Sequence, residues 1–190
     1  MTARALAGQR AHDRGDDWEA TIRGHLAAWT ARGHLRGWQQ QAPLTRRVGP
    51  GGERVVVVDR EGPVDFAAWS RGGAWMFEAK HTSSDRWPLR QLDEHQARLL
   101  SSWHAPDLHR YAGVALRFRV VVGGLGQDST WWLDWGALGP LWWAWSSGRA
   151  ERGGASLRVA DVVDWGTPWG WRVFGGSTVG ELRAAPRGDR

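Results

Sequence analysis

A predicted β-hairpin is the feature that most restricts how this chain can fold. Strands are predicted at Val64–Trp69 and Ala74–Lys80, on either side of the turn sequence Ser-Arg-Gly-Gly. If the hairpin is centred on that turn, Phe66 lies opposite Phe77. Because successive side chains of a strand point to opposite faces, this register gives one face of the hairpin an aromatic pair suited to a core.

The same register brings acidic side chains together on the other face. Asp65 lies opposite Glu78, and Lys80 shares that face because it is two residues further along the strand. Two opposed carboxylates repel, with Cβ atoms only ~5 Å apart, unless a cation lies between them. Oxygen ligands suit Mg²⁺, or Mn²⁺, and a lysine beside the metal suits hydrolysis of a phosphodiester. The alternative is a surface hairpin with an ordinary Glu–Lys charge pair.

Composition makes Lys80 conspicuous and excludes several classes of protein. Lysine and arginine total 25, and Lys80 is the only lysine among them. Its context is Glu-Ala-Lys-His, which excludes a phosphate-binding P-loop. The absence of cysteine excludes disulfides, thiolate zinc sites and thiol nucleophiles. A net charge of +5 favours polyanionic partners such as DNA, although a general arginine bias gives the same charge.

The remaining pattern predicts a single α/β domain over 1–190, with a core at about 16–175, frayed termini and a mixed sheet flanked by helices. Predicted helices are Asp17–Arg32 with Asp16 as N-cap, Pro88–Trp103, Gly136–Trp145 and a short one near Ala160. Further predicted strands are Leu35–Gln40, a hairpin at Arg46–Asp59, Gly113–Val122, Thr130–Trp135 and Trp171–Phe174.

Short sequence blocks around the hairpin carry a family resemblance. They are DF at Asp65, FEAKHT at Phe77, WPL at Trp87 and HQ at His95. In order and spacing they resemble RecU-type Holliday junction resolvases of the PD-(D/E)xK nuclease superfamily, over about 16–135. The resemblance implies a restriction-endonuclease-like fold and Mg²⁺-dependent paired nicking of four-way DNA junctions.

The resemblance also implies roles for individual residues. Asp65 and Glu78 would bind magnesium, Lys80 would stabilise the transition state, and Gln96 would complete the metal site from its helix. Gln96 is also the one polar residue on an otherwise apolar helical stripe. Pro63 departs from the family pattern, which has a threonine there, and the segment between Glu78 and Gln96 is one residue shorter.

Glu19 is a further candidate, because related resolvases carry a glutamate in the first helix within an Arg-Gly-x-x-x-Glu pattern that begins here at Arg14. An exposed Glu19–Arg23 pair on one helix face is an equal alternative. A buried amide with no catalytic role is the alternative for Gln96.

DNA contacts are expected from the first helix, from the hairpin at 46–61, which occupies the place of the projecting RecU stalk, and from the FEAKHT block. The candidate DNA-binding residues are Arg14, Arg23, Arg46, Arg47, Arg54, Arg60 and Thr82. A plain surface hairpin is an equal alternative for 46–61. A two-fold symmetric junction favours a homodimer with two active sites. The N-terminal segment, Met1 to Arg14, has no apolar run of signal-peptide length, and the longest apolar stretch, Trp135–Trp145, is about half as long as a membrane span. We therefore expect no membrane contact and a cytoplasmic location, in a bacterium or in a phage-infected host.

Two rival functions remain open. One is another PD-(D/E)xK nuclease that cuts duplex or flap DNA in repair or restriction. The other is a non-catalytic DNA-binding protein, which would use the basic surface and stack bases on the tryptophan cluster. Core or dimer packing is the favoured role for that cluster, which comprises Trp131, Trp132, Trp135, Trp142, Trp143 and Trp145.

Overall fold

The fold was analysed in a computed structural model. It describes the backbone of residues 3–40, 45–47, 56–58, 64–122, 125–149 and 155–174, and the side chains of 17–40, 64–120, 128–149, 155–170 and 173–174.

A mixed six-stranded sheet forms the centre of the molecule. In spatial order, its strands are β1 (Gly37–Gln40), β4 (Phe66–Ser70), β5 (Gly73–Thr82), β7 (Arg110–Val122), β8 (Leu125–Asp134) and β10 (Thr167–Pro168). Among these neighbouring strands, only β5 and β7 pair in parallel. The expected α/β architecture with a mixed central sheet is therefore confirmed.

Within the described residues, four α-helices flank this sheet. They are α1 (Ala3–Ala31), α2 (Glu94–Trp103), α3 (Trp135–Ser146) and α4 (Val159–Trp165). Helix α1 packs on one face of the sheet, here called the α1 face, against an aromatic cluster that includes Trp75, Phe77 and Phe174. Helices α2 and α3 pack on the other, here called the site face. Both faces are thus covered over the central strands, as expected where a sheet contains a parallel pair.

The predicted register of the hairpin is confirmed. Phe66 pairs with Phe77, and their rings stack with centroids 5.4 Å apart on the α1 face. Asp65 immediately precedes β4, so it continues the same alternation on the site face, one position beyond the paired strand.

Two small antiparallel ladders lie outside the central sheet. Strands β2 (Thr45–Arg47) and β3 (Val56–Val58) pair as the predicted hairpin, whose turn at 49–52 lies outside the described residues. Strands β6 (Arg86–Pro88) and β9 (Ser156–Arg158) form a ladder that sequence patterns do not predict.

Several predicted boundaries are wrong. Helix α1 begins at Ala3 rather than after Asp16, because residues 3–14 are rich in good helix formers and lack proline. Pro88 ends a strand instead of opening a helix, and α2 begins only at Glu94. Trp135 is the first residue of α3, where the Asp134 side chain accepts a hydrogen bond from Gly136 N.

The last predicted strand is also wrong. Trp171–Phe174 is a 3-10 turn, and the final strand is β10. Phe174 is buried in the aromatic cluster, and its carbonyl accepts a hydrogen bond of 2.6 Å from Ser70 Oγ. Tertiary packing thus decides the conformation of this apolar run rather than its β-propensity.

The tryptophan cluster largely serves the core, as favoured. Trp132, Trp135 and Trp142 are buried, Trp131 and Trp145 pack partly against the core, and Trp143 remains exposed. No helix in the described part of the chain combines the length and hydropathy needed to span a bilayer.

Candidate functional site

Three elements bring the polar side chains of the site together. Asp65 immediately precedes β4, Glu78 and Lys80 lie on the site face of β5, and Gln96 lies in the first turn of α2. Residues 65 and 78 belong to one hairpin, whereas Gln96 reaches the site because α2 packs over β5 and β7. The four residues that the sequence predicts for one site do therefore meet.

Glu78 is the buried centre of this arrangement. Its side chain has 0% exposure. Oε2 accepts a hydrogen bond of 2.6 Å from Gln96 Nε2 and lies 3.0 Å from Lys80 Nζ. Within the described residues, Oε1 is buried and receives no hydrogen bond. A buried carboxylate oxygen without a donor is costly, so a protein that retains one usually has a use for it.

Gln96 links the two charged groups of β5. Its Oε1 accepts hydrogen bonds from Lys80 Nζ at 3.2 Å and from the backbone N–H of Asp93 at 3.1 Å. The second contact belongs to the N-terminal cap of α2, in which Asp93 and Gln96 stand at the spacing of a capping box. The helix cap therefore fixes the amide that holds both Lys80 and Glu78.

Asp65 is fixed by the backbone of the neighbouring strand. Its Oδ2 accepts a hydrogen bond of 2.8 Å from Ala79 N. The half-buried Asp65 carboxyl lies near Glu78 and interacts with it directly. The two acidic groups thus face each other across the hairpin, as the register predicts.

The pKa values of Glu78 and Lys80 both lie above the ordinary values of these groups. Burial raises the pKa of Glu78 to about 8; the Lys80 ammonium opposes this rise, and the nearby Asp65 carboxylate adds to it. Burial disfavours the Lys80 ammonium, but Glu78 and Asp65 together hold the pKa of Lys80 above its usual range. Lys80 therefore stays protonated at neutral pH, which suits charge stabilisation rather than proton abstraction.

The donor set fits a hard divalent cation. The unpartnered Oε1 of Glu78 and the facing Asp65 carboxylate are oxygen ligands of the kind that Mg²⁺ and Mn²⁺ bind. Across residues 17–40, 64–120 and the other described side chains, no group of three or more His, Asp or Glu residues forms a metal cluster. Further ligands can come from the Gln96 amide, a backbone carbonyl such as that of Ala79, water or substrate.

The contacts of Glu19 with Gln40 and Arg23 lie on the α1 face of the sheet, opposite the site face. Glu19 Oε2 accepts a hydrogen bond of 2.9 Å from Gln40 Nε2 and lies 4.0 Å from Arg23 Nη1. Gln40 pairs with Phe66 and so points to the α1 face. Arg23 completes the group by donating to Gln40 Oε1 at 2.9 Å. A role for Glu19 at the metal stays a prediction.

The predicted DNA-binding residues lie in very different settings. Thr82 is buried, and its hydroxyl donates to the Arg86 carbonyl at 3.0 Å. Only the backbone is described for Arg14 in α1 and for Arg46 and Arg47 in β2. Arg54 and Arg60, with Pro63, lie outside the described residues. Contacts of these residues with DNA stay predictions.

Sequence reasoning missed Asp93. Its N–H fixes Gln96, and its carboxylate adds to the raised pKa of Lys80. The signal was present in the sequence, because Asp followed three residues later by Gln marks a helix start. The prediction used Pro88 as the first residue of the helix, whereas α2 begins at Glu94.

Comparisons with known proteins leave the family of this chain open. No model of a known protein family matches it, and no curated protein is found as a relative.

Proposed function

We propose that this protein is a Mg²⁺-dependent endodeoxyribonuclease with a PD-(D/E)xK fold, and that its substrate is a four-way DNA junction cut by paired nicks. The observation that carries the nuclease proposal is the buried Glu78 carboxyl, which faces Asp65 beside a lysine and has one oxygen without a donor among the described residues. In a purely structural charge pair, both oxygens of a buried carboxyl usually have a partner.

The residues divide the work between metal and charge. Asp65 and Glu78 are the proposed metal ligands, and Mn²⁺ suits the same oxygens. A bound divalent cation supplies Lewis-acid polarisation of the phosphoryl oxygens and lowers the pKa of a bound water. Lys80, held protonated by its neighbours Glu78 and Asp65, provides hydrogen bonds and positive charge for the pentavalent phosphate oxyanion.

Gln96 keeps this lysine in position. Because its Oε1 holds both Lys80 Nζ and Asp93 N, the ammonium is oriented before substrate binds. Such preorganisation avoids the cost of reorienting charges during the reaction. Water then adds its oxygen to phosphorus and releases a proton to solvent, one P–O bond breaks, and the departing sugar oxygen takes up a proton.

Junction specificity rests on the sequence blocks and on charge. The FEAKHT and WPL…HQ blocks resemble junction resolvases, and the net charge of +5 favours a polyphosphate. A homodimer would place two sites on a two-fold symmetric substrate. The non-catalytic alternative gives no reason for burying Glu78 beside Asp65.

The test is cleavage of a labelled synthetic four-way junction and of a linear duplex with the same arm sequences. We expect paired nicks in the junction with Mg²⁺, none with EDTA, and little cleavage of the duplex. Lys80→Ala should lower the cleavage rate by about 100-fold to 1,000-fold while junction binding in EDTA persists. Arg71→Ala, an exposed change in the β4–β5 turn, is the matched control.

Each part of the proposal can fail separately. Equal cleavage of junction and duplex would keep the nuclease and remove the junction preference. If Lys80→Ala cleaves the junction at the wild-type rate, Lys80 is not a catalytic residue and the proposed active site is wrong. Absence of cleavage with both Mg²⁺ and Mn²⁺, with DNA binding intact, would leave the non-catalytic binding protein.

A further inference from the structure

A groove lies beside the candidate site, between the segment that enters α2 and the end of α3. Its volume is about 440 Å³, which is within the usual range for ligand sites. Arg90, Leu92, Asp93 and Glu94 form one side, and the last turns of α3, including Trp142 and Trp145, form the other.

The aromatic side of the groove is held rigidly. Trp142 is buried, and its Nε1 donates to the carbonyls of Leu89 and Leu92 at 3.2 and 3.1 Å. Trp145 packs edge-on against Trp142, with ring centroids 5.8 Å apart and planes at 70°. Trp145 is half-buried, so part of its indole stays open to the groove. A fixed, partly open indole is a platform on which a flat base can stack.

On the opposite side of the groove, one charged side chain is available for a ligand and another is already paired. Arg90 is exposed, and among the described residues its guanidinium forms neither an ion pair nor a hydrogen bond. Glu94, by contrast, is paired with Arg98 at 2.5 Å. A free guanidinium suits a phosphate, and the Asp93 carboxylate suits the N–H groups on the edge of a base.

The groove lies close to the catalytic residues, because Asp93 lines it and also contacts Gln96. Asp93 N and Lys80 Nζ both donate to Gln96 Oε1, at 3.1 and 3.2 Å, so these two nitrogens are at most about 6.3 Å apart. A strand whose phosphate lies at Lys80 can therefore place a neighbouring nucleotide in the groove.

We propose that this groove binds an unpaired nucleotide of the DNA substrate, with its base on Trp145 and its phosphate at Arg90. A base inside a duplex is already stacked on both faces and paired at its edge, so only a frayed, branched or single-stranded nucleotide can enter. The groove thereby gives the enzyme a preference for DNA whose pairing is interrupted. That the occupant belongs to a cleavable substrate rests on the proposed nuclease function.

The test measures binding in EDTA by fluorescence anisotropy, with a labelled blunt duplex and the same duplex carrying a short single-stranded tail. Wild type should bind the tailed DNA more tightly. Trp145→Ala should weaken binding of the tailed DNA by roughly fivefold or more and leave duplex binding unchanged. Trp145→Phe, which keeps an aromatic face and guards against misfolding, should lose less.

The charged side needs its own pair of variants. Arg90→Ala should weaken tailed-DNA binding more than Arg71→Ala, which removes one surface arginine in the β4–β5 turn. The proposal is overturned if wild type binds tailed and blunt DNA equally, or if Trp145→Ala and Arg90→Ala both keep wild-type affinity for the tail.

Failure of the groove and failure of the nuclease proposal give different results. Junction cleavage that persists while the groove variants bind and cut as wild type overturns the groove alone. Tail binding that depends on Trp145 and Arg90, in a protein that cuts no DNA with Mg²⁺ or Mn²⁺, supports the groove and overturns the nuclease.

Discussion

The two faces of strand β5 are equally buried and chemically opposite. On the α1 face, Phe77 stacks on Phe66 and meets the edge of Trp132 at 5.8 Å. On the site face, the adjacent Glu78 is just as completely buried, yet one of its oxygens has no donor among the described residues. One face gains free energy from burial and the other loses it. A sequence that keeps the unfavourable face has a chemical reason for it.

The largest stability effect should come from the aromatic face. Phe77→Ala removes a fully buried ring from contacts with Phe66, Trp132 and Phe174. We expect the free energy of unfolding to fall by about 3–5 kcal/mol in a urea titration. Met76→Ala, a half-buried change on the site face, is the control and should cost about half as much or less. Equal losses would show that the two faces do not differ in packing.

The site face should respond in activity instead of stability. Glu78→Gln removes the charge of a proposed metal ligand, so the cleavage rate should fall by at least about 100-fold. The free energy of unfolding in EDTA should stay near the wild-type value, because burial already favours the neutral form of Glu78 and Asp65 still interacts with the Lys80 ammonium. Asp164→Asn, an exposed change in α4 away from the site and the groove, is the matched control for both measurements. A large loss of stability in Glu78→Gln, with cleavage retained, would make Glu78 a structural residue.

The raised pKa of Glu78 predicts how pH and metal act on stability. Its folded pKa of about 8 lies above the ordinary 4.5, so between these values the folded state holds a proton that the unfolded state has released. Without metal, the free energy of unfolding should therefore fall as pH rises through this window, by a few kcal/mol at about 1.4 kcal/mol per pKa unit.

A divalent cation competes with that proton. The increase in thermal midpoint caused by Mg²⁺ should therefore grow from pH 6 to pH 8.5, and it should be small and independent of pH in Glu78→Gln. Thermal melts with Mg²⁺ and with EDTA measure both effects. If Mg²⁺ raises the thermal midpoint more at pH 6 than at pH 8.5, Glu78 is not the metal ligand.

The strand pairing was predictable because two constraints agreed. One register of the hairpin paired Phe66 with Phe77 for the core and Asp65 with Glu78 for the site, and a slip by one residue would have exchanged the faces. The site role of Gln96 was implied by the family resemblance, and the residue also stood out as polar on an otherwise apolar stripe. The residue that fixes it, Asp93, was missed because proline is common at helix starts and Pro88 precedes it.

The remaining errors come from contacts between distant segments. Pro88 belongs to a strand only because Ser156–Arg158 pairs with it, about 70 residues further along the chain. The run Trp171–Phe174 has strong β-propensity but forms a turn that places Phe174 in the aromatic cluster. No local pattern could show either contact.

The smallest effect is expected for Glu19→Gln, which tests whether the α1 face takes part in the chemistry of the site face. The recorded partners of Glu19, Gln40 and Arg23, lie with α1 on the face opposite Glu78. Glu19→Gln should therefore cost about 1 kcal/mol of unfolding free energy or less, since it weakens one hydrogen bond and one long ion pair. The cleavage rate should change by less than about threefold, because one kcal/mol of barrier is already worth about fivefold. Single-turnover cleavage of the junction measures this, with the exposed Asp164→Asn as the control. A loss approaching that of Glu78→Gln would show that Glu19 moves to the metal when substrate binds, and the two faces of the sheet would then share one site.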